Sequence, residues 1–272
     1  MKLFARILSI AAFPLLAACS NNSNDTPAAK AKTSLGTAMA GDTKVELLTD
    51  DKLETGMTPI YIKVTGPDGK AVTDANVTFV PLMSMTSGTR HGAPVIGKPS
   101  IDTDNLYHAA VVFQMASSDM GKWSATVGIN DTDTATTDAA NDDASFADLN
   151  VSDSGRAQVL SYTDPATSTI IRYVTSLNFT DSPKVGLNPI VFTLHKMQDM
   201  MTFLPVDDAT LVLDPQMPSM GHGSSGSVNP TPTSLGRYEG KLSFSMVGTW
   251  DTTVTVSQAG VTLGTPKFTT TF

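Results

Sequence analysis

The chain contains one pattern twice, and this internal repeat limits its possible folds more than any other feature. "GMTPIYIKV" and "YHAAVVFQM" in the first half match "GLNPIVFTL" and "YEGKLSFSM" in the second half. The corresponding residues are Gly56 and Gly186, Pro59 and Pro189, Pro81 and Pro215, Tyr107 and Tyr238, Met115 and Met246, and Trp123 and Trp250. The repeat therefore predicts two domains with the same fold.

Apolar and polar residues alternate within each copy, with the period of a β-strand rather than of a helix. In "YEGKLSFSM" one face consists of Tyr238, Leu242, Phe244 and Met246. "GPDGK" (residues 66–70) predicts a turn, and "STIIRYVTSLNF" (residues 168–179) predicts an early strand of the second copy. Short strands separated by Gly, Pro and Asp favour an all-β fold of two tandem immunoglobulin-like antiparallel β-sandwiches.

The N-terminus has the features of a lipoprotein signal peptide over residues 1–18. Lys2 and Arg6 precede an apolar stretch, and "Leu16-Ala17-Ala18-Cys19" resembles a bacterial lipobox. We predict that Cys19 is lipidated and that the acyl chains anchor the protein to a membrane of the bacterial cell envelope, the outer membrane. The alternative is an ordinary secretory signal in which the cysteine is incidental.

Two polar segments define the expected domain boundaries. Residues 19–43 are rich in small and polar residues and predict a flexible tether. Residues 131–156 are rich in Asp without the ligand spacing of an EF-hand, and predict an acidic linker. The first domain is expected at residues 44–130 and the second at residues 157–272.

The formal net charge of −8 argues against a nucleic-acid partner, because a polyanion would be repelled. The sequence also lacks a Gly-x-Ser-x-Gly elbow and a phosphate-binding glycine loop. We therefore expect a protein that is not an enzyme.

A turn in the second copy, "MPSMGHG" (residues 217–223), concentrates thioethers and an imidazole outside a predicted core. Thioethers are soft ligands that bind Cu(I) well and bind zinc, calcium or magnesium poorly. We therefore predict a copper site, with Cu(I) bound by Met217, Met220, His222 and Met246. Packing on the apolar face of its strand would explain Met246 equally well.

The first copy has the same order of candidate ligands: Met83, Met85, His91 and Met115. Met115 could again be a core residue, and His91 could be a surface residue because Arg90 beside it disfavours a cation. A separate candidate pair is His195 and Met197, which share a face if they lie on a strand.

The segment "PQMPSMGHG…GRYEGKLSFSMVGTWDTTVTV" resembles the YtkA-like/FixH-like family of bacterial envelope domains. The resemblance covers residues 184–257 and, in a more divergent form, residues 43–129. It implies an immunoglobulin-like sandwich and an association with copper handling, including efflux systems and periplasmic carriers.

Two hypotheses follow for function. The first is a copper-binding lipoprotein that acts in copper handling or efflux, with an efflux or other envelope protein as its partner. The second is a metal-free interaction module that tethers an envelope partner, in which most methionines are core residues.

Overall fold

The computed structural model describes residues 31–130 and 143–272. All regular elements in these two ranges are β-strands, and none of the described residues form a helix long and apolar enough to cross a membrane. The predicted signal peptide, Cys19 and the first part of the predicted acidic linker, residues 131–142, lie outside the described residues. The all-β prediction is confirmed.

The first sandwich contains one sheet with the strand order β1-β2-β4-β8-β7 and a second with the order β10-β9-β5-β6. The short strands β3 and β11 form a parallel pair beside them. The strands are β1 (Thr33–Ala40), β2 (Thr43–Thr49), β3 (Leu53–Glu54), β4 (Gly56–Thr65), β5 (Val77–Met85), β6 (Arg90–Gly92), β7 (Val95–Ile101), β8 (Tyr107–Phe113), β9 (Gly121–Ile129), β10 (Asp143–Leu149) and β11 (Val151–Ser152).

The second sandwich contains one sheet with the order β12-β13-β14-β19-β18, in which β15 also pairs with β14. Its other sheet has the order β17-β16-β20-β21, and β22 also pairs with β20. The strands are β12 (Ala157–Thr163), β13 (Ile170–Phe179), β14 (Gly186–Met197), β15 (Phe203–Pro205), β16 (Ala209–Met217), β17 (His222–Gly223), β18 (Val228–Ser234), β19 (Arg237–Phe244), β20 (Thr249–Gln258), β21 (Val261–Gly264) and β22 (Lys267–Thr271).

The alternating sequence pattern produces the two cores. Along β16, every second residue from Ala209 to Met217 is buried and the residues between them are exposed. Trp123 packs edge-on against Phe113 at a ring-centroid distance of 5.0 Å, and Trp250 packs against Phe244 at 5.4 Å. Both tryptophans are buried, as their apolar positions predict.

The same side-chain hydrogen bonds recur in the two sandwiches. The indole Nε1 of Trp123 donates to the carbonyl of Met115 at 2.9 Å, and that of Trp250 donates to the carbonyl of Met246 at 3.0 Å. The hydroxyl of Tyr107 likewise accepts from the backbone N–H of Ala75. Tyr238 accepts in the same way from Ala209, so the sequence repeat is also a repeat of structure.

The predicted tether and linker are shorter than the sequence indicated. Part of the expected tether, residues 19–43, forms β1, which pairs with β2. Part of the expected linker, residues 131–156, forms β10 and β11, with Ala144 and Phe146 buried in the first core. These segments contain few large apolar residues, so their strand pattern is weak and pairing with a neighbouring strand stabilises them.

The segment that joins the two sandwiches is short and held by hydrogen bonds. The backbone N–H of Thr55 donates to the carbonyl of Ser152 at 2.9 Å, and that of Ser154 donates to the hydroxyl of Thr55 at 2.9 Å. Arg156 then forms an ion pair with Glu54. The connection at residues 152–156 is therefore held in one position by hydrogen bonds and an ion pair.

Both sandwiches lie within one compact unit, Lys32–Phe272, and share an apolar junction. Ile96 and Val112 from the first sandwich are buried against Val174 from the second. Beside them, the backbone N–H of Met57 donates to Oδ1 of Asn178 at 3.0 Å. Burial and a satisfied buried amide together hold the two domains against each other.

Candidate metal site

Met217 and His222 are placed side by side in the second sandwich. Met217 ends β16, His222 begins β17, and the two residues are direct partners across this antiparallel ladder. The turn between them is closed by the carbonyl of Met217, which accepts from the backbone N–H groups of Met220 at 3.1 Å and Gly221 at 3.0 Å. Direct cross-strand partners project to the same face of a sheet, so the thioether and the imidazole are neighbours.

Both side chains lie against the glycine–tryptophan segment at the start of β20. Met217 is 2% exposed, and its terminal methyl lies 2.9 Å from the position that a Cβ at Gly248 would occupy. The His222 ring meets Trp250 edge-on at a centroid distance of 5.8 Å. Its Nδ1 lies 3.0 Å from the carbonyl oxygen of Gly223. We refer to Met217 and His222 as the second-copy pair.

Two other predicted ligands of the second copy are exposed. Met220 lies in the turn next to the pair and is 62% exposed. Met246 follows the end of β19, and it too is exposed. The alternative that Met246 packs in the core is therefore wrong, because the strand ends at Phe244 and only the carbonyl of Met246 is used, by Trp250.

The first sandwich brings together Met83, Met85 and His91, which we call the first-copy cluster. Met83 on β5 is the direct partner of His91 on β6 and also of Trp123 on β9. Met85 lies two residues further along β5 and shares the face of Met83. From the position of a Cβ at Gly121, the sulfur of Met85 is 2.7 Å away and that of Met83 is 3.3 Å away. Both thioethers therefore converge on one glycine.

The first-copy cluster is partly accessible to solvent. Met83 is buried, whereas Met85 and His91 are half-buried at the edge of the sheet. Met115 is exposed, so its predicted packing in the core is wrong in the same way as that of Met246. The sulfur of the exposed Met120 accepts from the hydroxyl of Thr86 at 3.8 Å.

His195 and Met197 belong to a different place, the junction between the sandwiches. His195 is buried and pairs across β13 and β14 with Val174, while Met197 packs against the same apolar cluster. Nδ1 of His195 has no hydrogen-bond partner. Burial lowers the pKa of this imidazole to about 4, although hydrogen bonding to the backbone of Leu235 and the charge of Asp207 oppose the shift.

Sequence reasoning missed the two glycines that make room for the sulfurs. Gly121 and Gly248 each stand two residues before a buried tryptophan, in "GKW" and "GTW". A side chain at either position would meet a methionine side chain at less than a van der Waals distance. The repeated Gly-x-Trp spacing was the available signal.

The donors assembled here are soft and uncharged. Within residues 31–130 and 143–272, no three His, Cys, Asp or Glu side chains form a group able to hold a metal ion. An ion at either copy would therefore be bound by thioethers with one imidazole, a set that suits a soft monovalent cation.

The family comparison agrees with a tandem fold. A family model described as YtkA-like matches residues 37–128 and 170–255, one region in each sandwich. No curated protein matches the chain. It is similar to a solved structure of FdeC, described as a broadly conserved Escherichia coli adhesin, with 15% identity and a TM-score of 0.27. That match covers 87% of this chain and 65% of the FdeC chain, and a likeness at this level carries no argument about function.

Proposed function

The chain belongs to the YtkA-like family, and from this premise we propose that it is a non-catalytic lipoprotein of the bacterial envelope that binds Cu(I) and acts in copper handling or efflux. The observation that carries the proposal is the repeated cross-strand partnership of methionine and histidine, at Met217–His222 and at Met83–His91. Each partnership lies beside a Gly-x-Trp segment that leaves space for the sulfur.

The donor chemistry favours Cu(I) over harder ions. A neutral thioether offers a polarizable lone pair and no charge, so it gives little stabilisation to zinc, magnesium or calcium. An imidazole beside it is a good ligand for copper in its neutral form. The two donor types together suit a soft cation in an oxidising compartment where thiolates would be lost.

The number of donors favours an exchangeable ion. Met217 and His222 are adjacent, and Met220, in the exposed turn that joins them, is the candidate for a second sulfur ligand. Two thioethers and one imidazole would give an ion only three protein ligands, so a partner could take it over. This arrangement is suited to a carrier or sensor that delivers copper to an efflux protein.

The proposal also includes a location in the cell envelope. Acylation of Cys19 would hold the protein at the outer membrane, with the tandem sandwiches in the aqueous space beside it. A partner that accepts Cu(I) in the same compartment would then meet a tethered donor at high effective concentration.

A competition titration tests the function. The mature protein would be titrated with Cu(I) against a chromogenic chelator, beside M217L/H222Q and M83L/H91Q variants and their combination. Leucine preserves the volume of methionine, so loss of affinity reports loss of the ligand rather than of the fold. Exposed Met39 on β1 provides the control M39L. Wild-type affinity in the combined variant would reject the proposal.

One observation favours the second candidate function, a metal-free interaction module. Met217 fills the space above Gly248, and His222 packs on Trp250, so both residues have structural roles without an ion. If the titration shows no Cu(I) binding while M217L/H222Q lowers stability, the pair serves packing alone and the protein tethers an envelope partner instead.

A further inference from the structure

The outer strands of the described sheets have features that hinder pairing with another chain, and β12 is the exception. β1, β7, β10 and β18 each have an interrupted register with their neighbour. β3, β11, β15, β17, β21 and β22 have between two and five residues. β6 is covered, because the backbone N–H of Gly92 donates to the carbonyl of Met200 in the hairpin that joins β14 to β15. Such features keep exposed edges from adding strands.

Strand β12 has a regular and neutral edge. It is seven residues long, and its register with β13 runs without interruption from the pair Ala157–Ser176 to the pair Thr163–Ile170. Its sequence, "AQVLSYT", contains no charged residue, glycine or proline. An edge strand of this kind presents unpaired backbone groups as a template for a further strand.

The hydrogen bonds at the ends of the β12–β13 ladder show which backbone groups point to the free edge. The N–H of Leu177 donates to the carbonyl of Arg156 at 3.0 Å, at the start of β12. The N–H of Asp164 donates to the carbonyl of Thr169 at 2.9 Å, just after its end. Hydrogen-bonded pairs alternate in an antiparallel ladder, so the even-numbered positions between them bond to β13. The positions whose N–H and C=O groups point outward are Ala157, Val159, Ser161 and Thr163.

The opposite sheet of the sandwich leaves this edge open. It meets β12 through inward-facing side chains: Nε2 of Gln158 donates to the carbonyl of Lys267 at 2.7 Å, and a Cβ at Gly264 would lie 3.3 Å from the side chain of Leu160. In the described part of the chain, β12 pairs with β13 alone. The exposed outward-facing side chains are Val159, Ser161 and Thr163.

The edge is complementary to a second copy of itself. When two β12 strands lie antiparallel with Leu160 opposite Leu160, Val159 faces Ser161 of the second copy. In the same register Ala157 faces Thr163 of the second copy. Every outward-pointing N–H then meets an outward-pointing carbonyl, which gives roughly eight hydrogen bonds.

The side chains also suit this pairing of two copies. The two Val159 side chains, each 45% exposed, become diagonal neighbours across the two-fold axis, so apolar surface is buried there. Two copies of a chain with a formal net charge of −8 repel each other at long range. Strand β12 brings no further like charges into opposition, because it has none.

We propose that two copies of the protein pair through β12, so that their β12-β13-β14-β19-β18 sheets join into one continuous sheet. The contact uses the same surface of both copies and consumes the free edge, so it closes at a dimer and does not extend into a filament. The pairing does not depend on metal binding.

Sedimentation equilibrium of the full mature chain, with Cys19→Ser to prevent acylation, tests the dimer. This parent should show a concentration-dependent dimer mass. V159K places two lysines next to each other across the axis, so the dimer dissociation constant should rise about tenfold or more. V212K is the matched control, because Val212 is also a strand valine with 45% exposure, on β16, and this variant should behave as the parent.

Cysteine cross-linking tests the register. Direct partners in a hydrogen-bonded antiparallel pair have Cα atoms about 5.5 Å apart, within the range of a disulfide. In the Cys19→Ser background, V159C mixed with S161C should therefore form a mixed disulfide under mild oxidation. V159C mixed with V212C should not.

Two results would overturn the pairing. A monomer mass at every concentration would show that copies do not associate, and would leave the edge of β12 to a different protein. A dimer that V159K does not weaken, without the disulfide between V159C and S161C, would place the contact between copies on another surface.

Discussion

Met217 and His222 are direct partners across one antiparallel ladder, and Met83 and His91 stand in the same relationship in the other sandwich. The segments that connect the partners differ, with residues 218–221 in one copy and residues 84–90 in the other. A shared turn type therefore does not explain the pairing. The common elements are the buried tryptophan and the glycine two residues before it.

An alanine at position 121 would fill the space beside the two sulfurs without removing a candidate ligand. In Gly121→Ala the new Cβ would lie 2.7 Å from the sulfur of Met85 and 3.3 Å from that of Met83, so both thioethers must move. We expect weaker Cu(I) binding in the M217L/H222Q background and an overpacking cost of about 1–3 kcal/mol in the free energy of unfolding.

Gly264→Ala is the matched control for this substitution. Its Cβ would meet a methyl group of Leu160 at 3.3 Å, a milder contact that lies away from any methionine. Equal Cu(I) affinity in the Gly121 and Gly264 variants would show that the methionines do not hold the ion.

The two equivalent tyrosines should differ in their contribution to stability. The hydroxyl of Tyr238 donates to the carbonyl of Val206 at 2.7 Å and accepts from the N–H of Ala209 at 3.0 Å. Tyr238→Phe leaves both buried backbone groups without this partner, and should lower the free energy of unfolding by about 1–3 kcal/mol. Urea denaturation should show a smaller loss for Tyr107→Phe, whose hydroxyl accepts from Ala75. The reverse order would contradict this assignment.

Asn178 should contribute to the junction between the sandwiches. Its Oδ1 accepts from the N–H of Met57, and its Nδ2 donates to the hydroxyl of Ser176 at 2.8 Å. Asn178→Ala would leave the N–H of Met57 without this partner, whereas the hydroxyl of Ser176 keeps its hydrogen bond to Thr193, so we expect a destabilisation of about 1–3 kcal/mol in urea denaturation. Asn150→Ala, at an exposed position, should leave stability unchanged. Identical urea denaturation curves for the two variants would show that Asn178 does not stabilise the junction.

Acid should weaken the fold through His195. The pKa of this buried imidazole is about 4, below its ordinary value of 6.5. Between these two values the unfolded chain binds a proton that the folded chain does not, so stability falls as the pH is lowered. The contribution reaches about 3 kcal/mol near the lower value.

Urea denaturation across that pH range checks the contribution of His195. His195→Gln keeps a donor and removes the titration, so the variant should lose less stability than the wild type between about pH 6.5 and pH 4. Parallel pH profiles for the two proteins would show that another group is responsible.

The fold was predictable from the sequence because the internal repeat and the alternation of apolar and polar residues identify the buried residues directly. Trp123 and Trp250 are buried at corresponding places, and the strand predicted at residues 168–179 is β13. The edge strands β1 and β10 were not predicted, because they contain few large apolar residues and pairing with the neighbouring strands β2 and β9 stabilises them.

The candidate site was less predictable than the fold. The order Met, Met, His identified the residues that the strand register brings together, but alternation alone extended the apolar face to Met115 and Met246. Both lie beyond the ends of their strands and are exposed. The contact between the hairpin at Met200 and Gly92 could not be inferred, because it depends on how the two sandwiches pack.

A crystal structure of the mature protein grown with Ag(I), as a stable substitute for Cu(I), tests the central claim most directly. Anomalous scattering locates the silver ions independently of the protein coordinates. The account predicts one ion between Met217 and His222 and another among Met83, Met85 and His91. Crystals that contain silver elsewhere, with both of these positions empty, would contradict it.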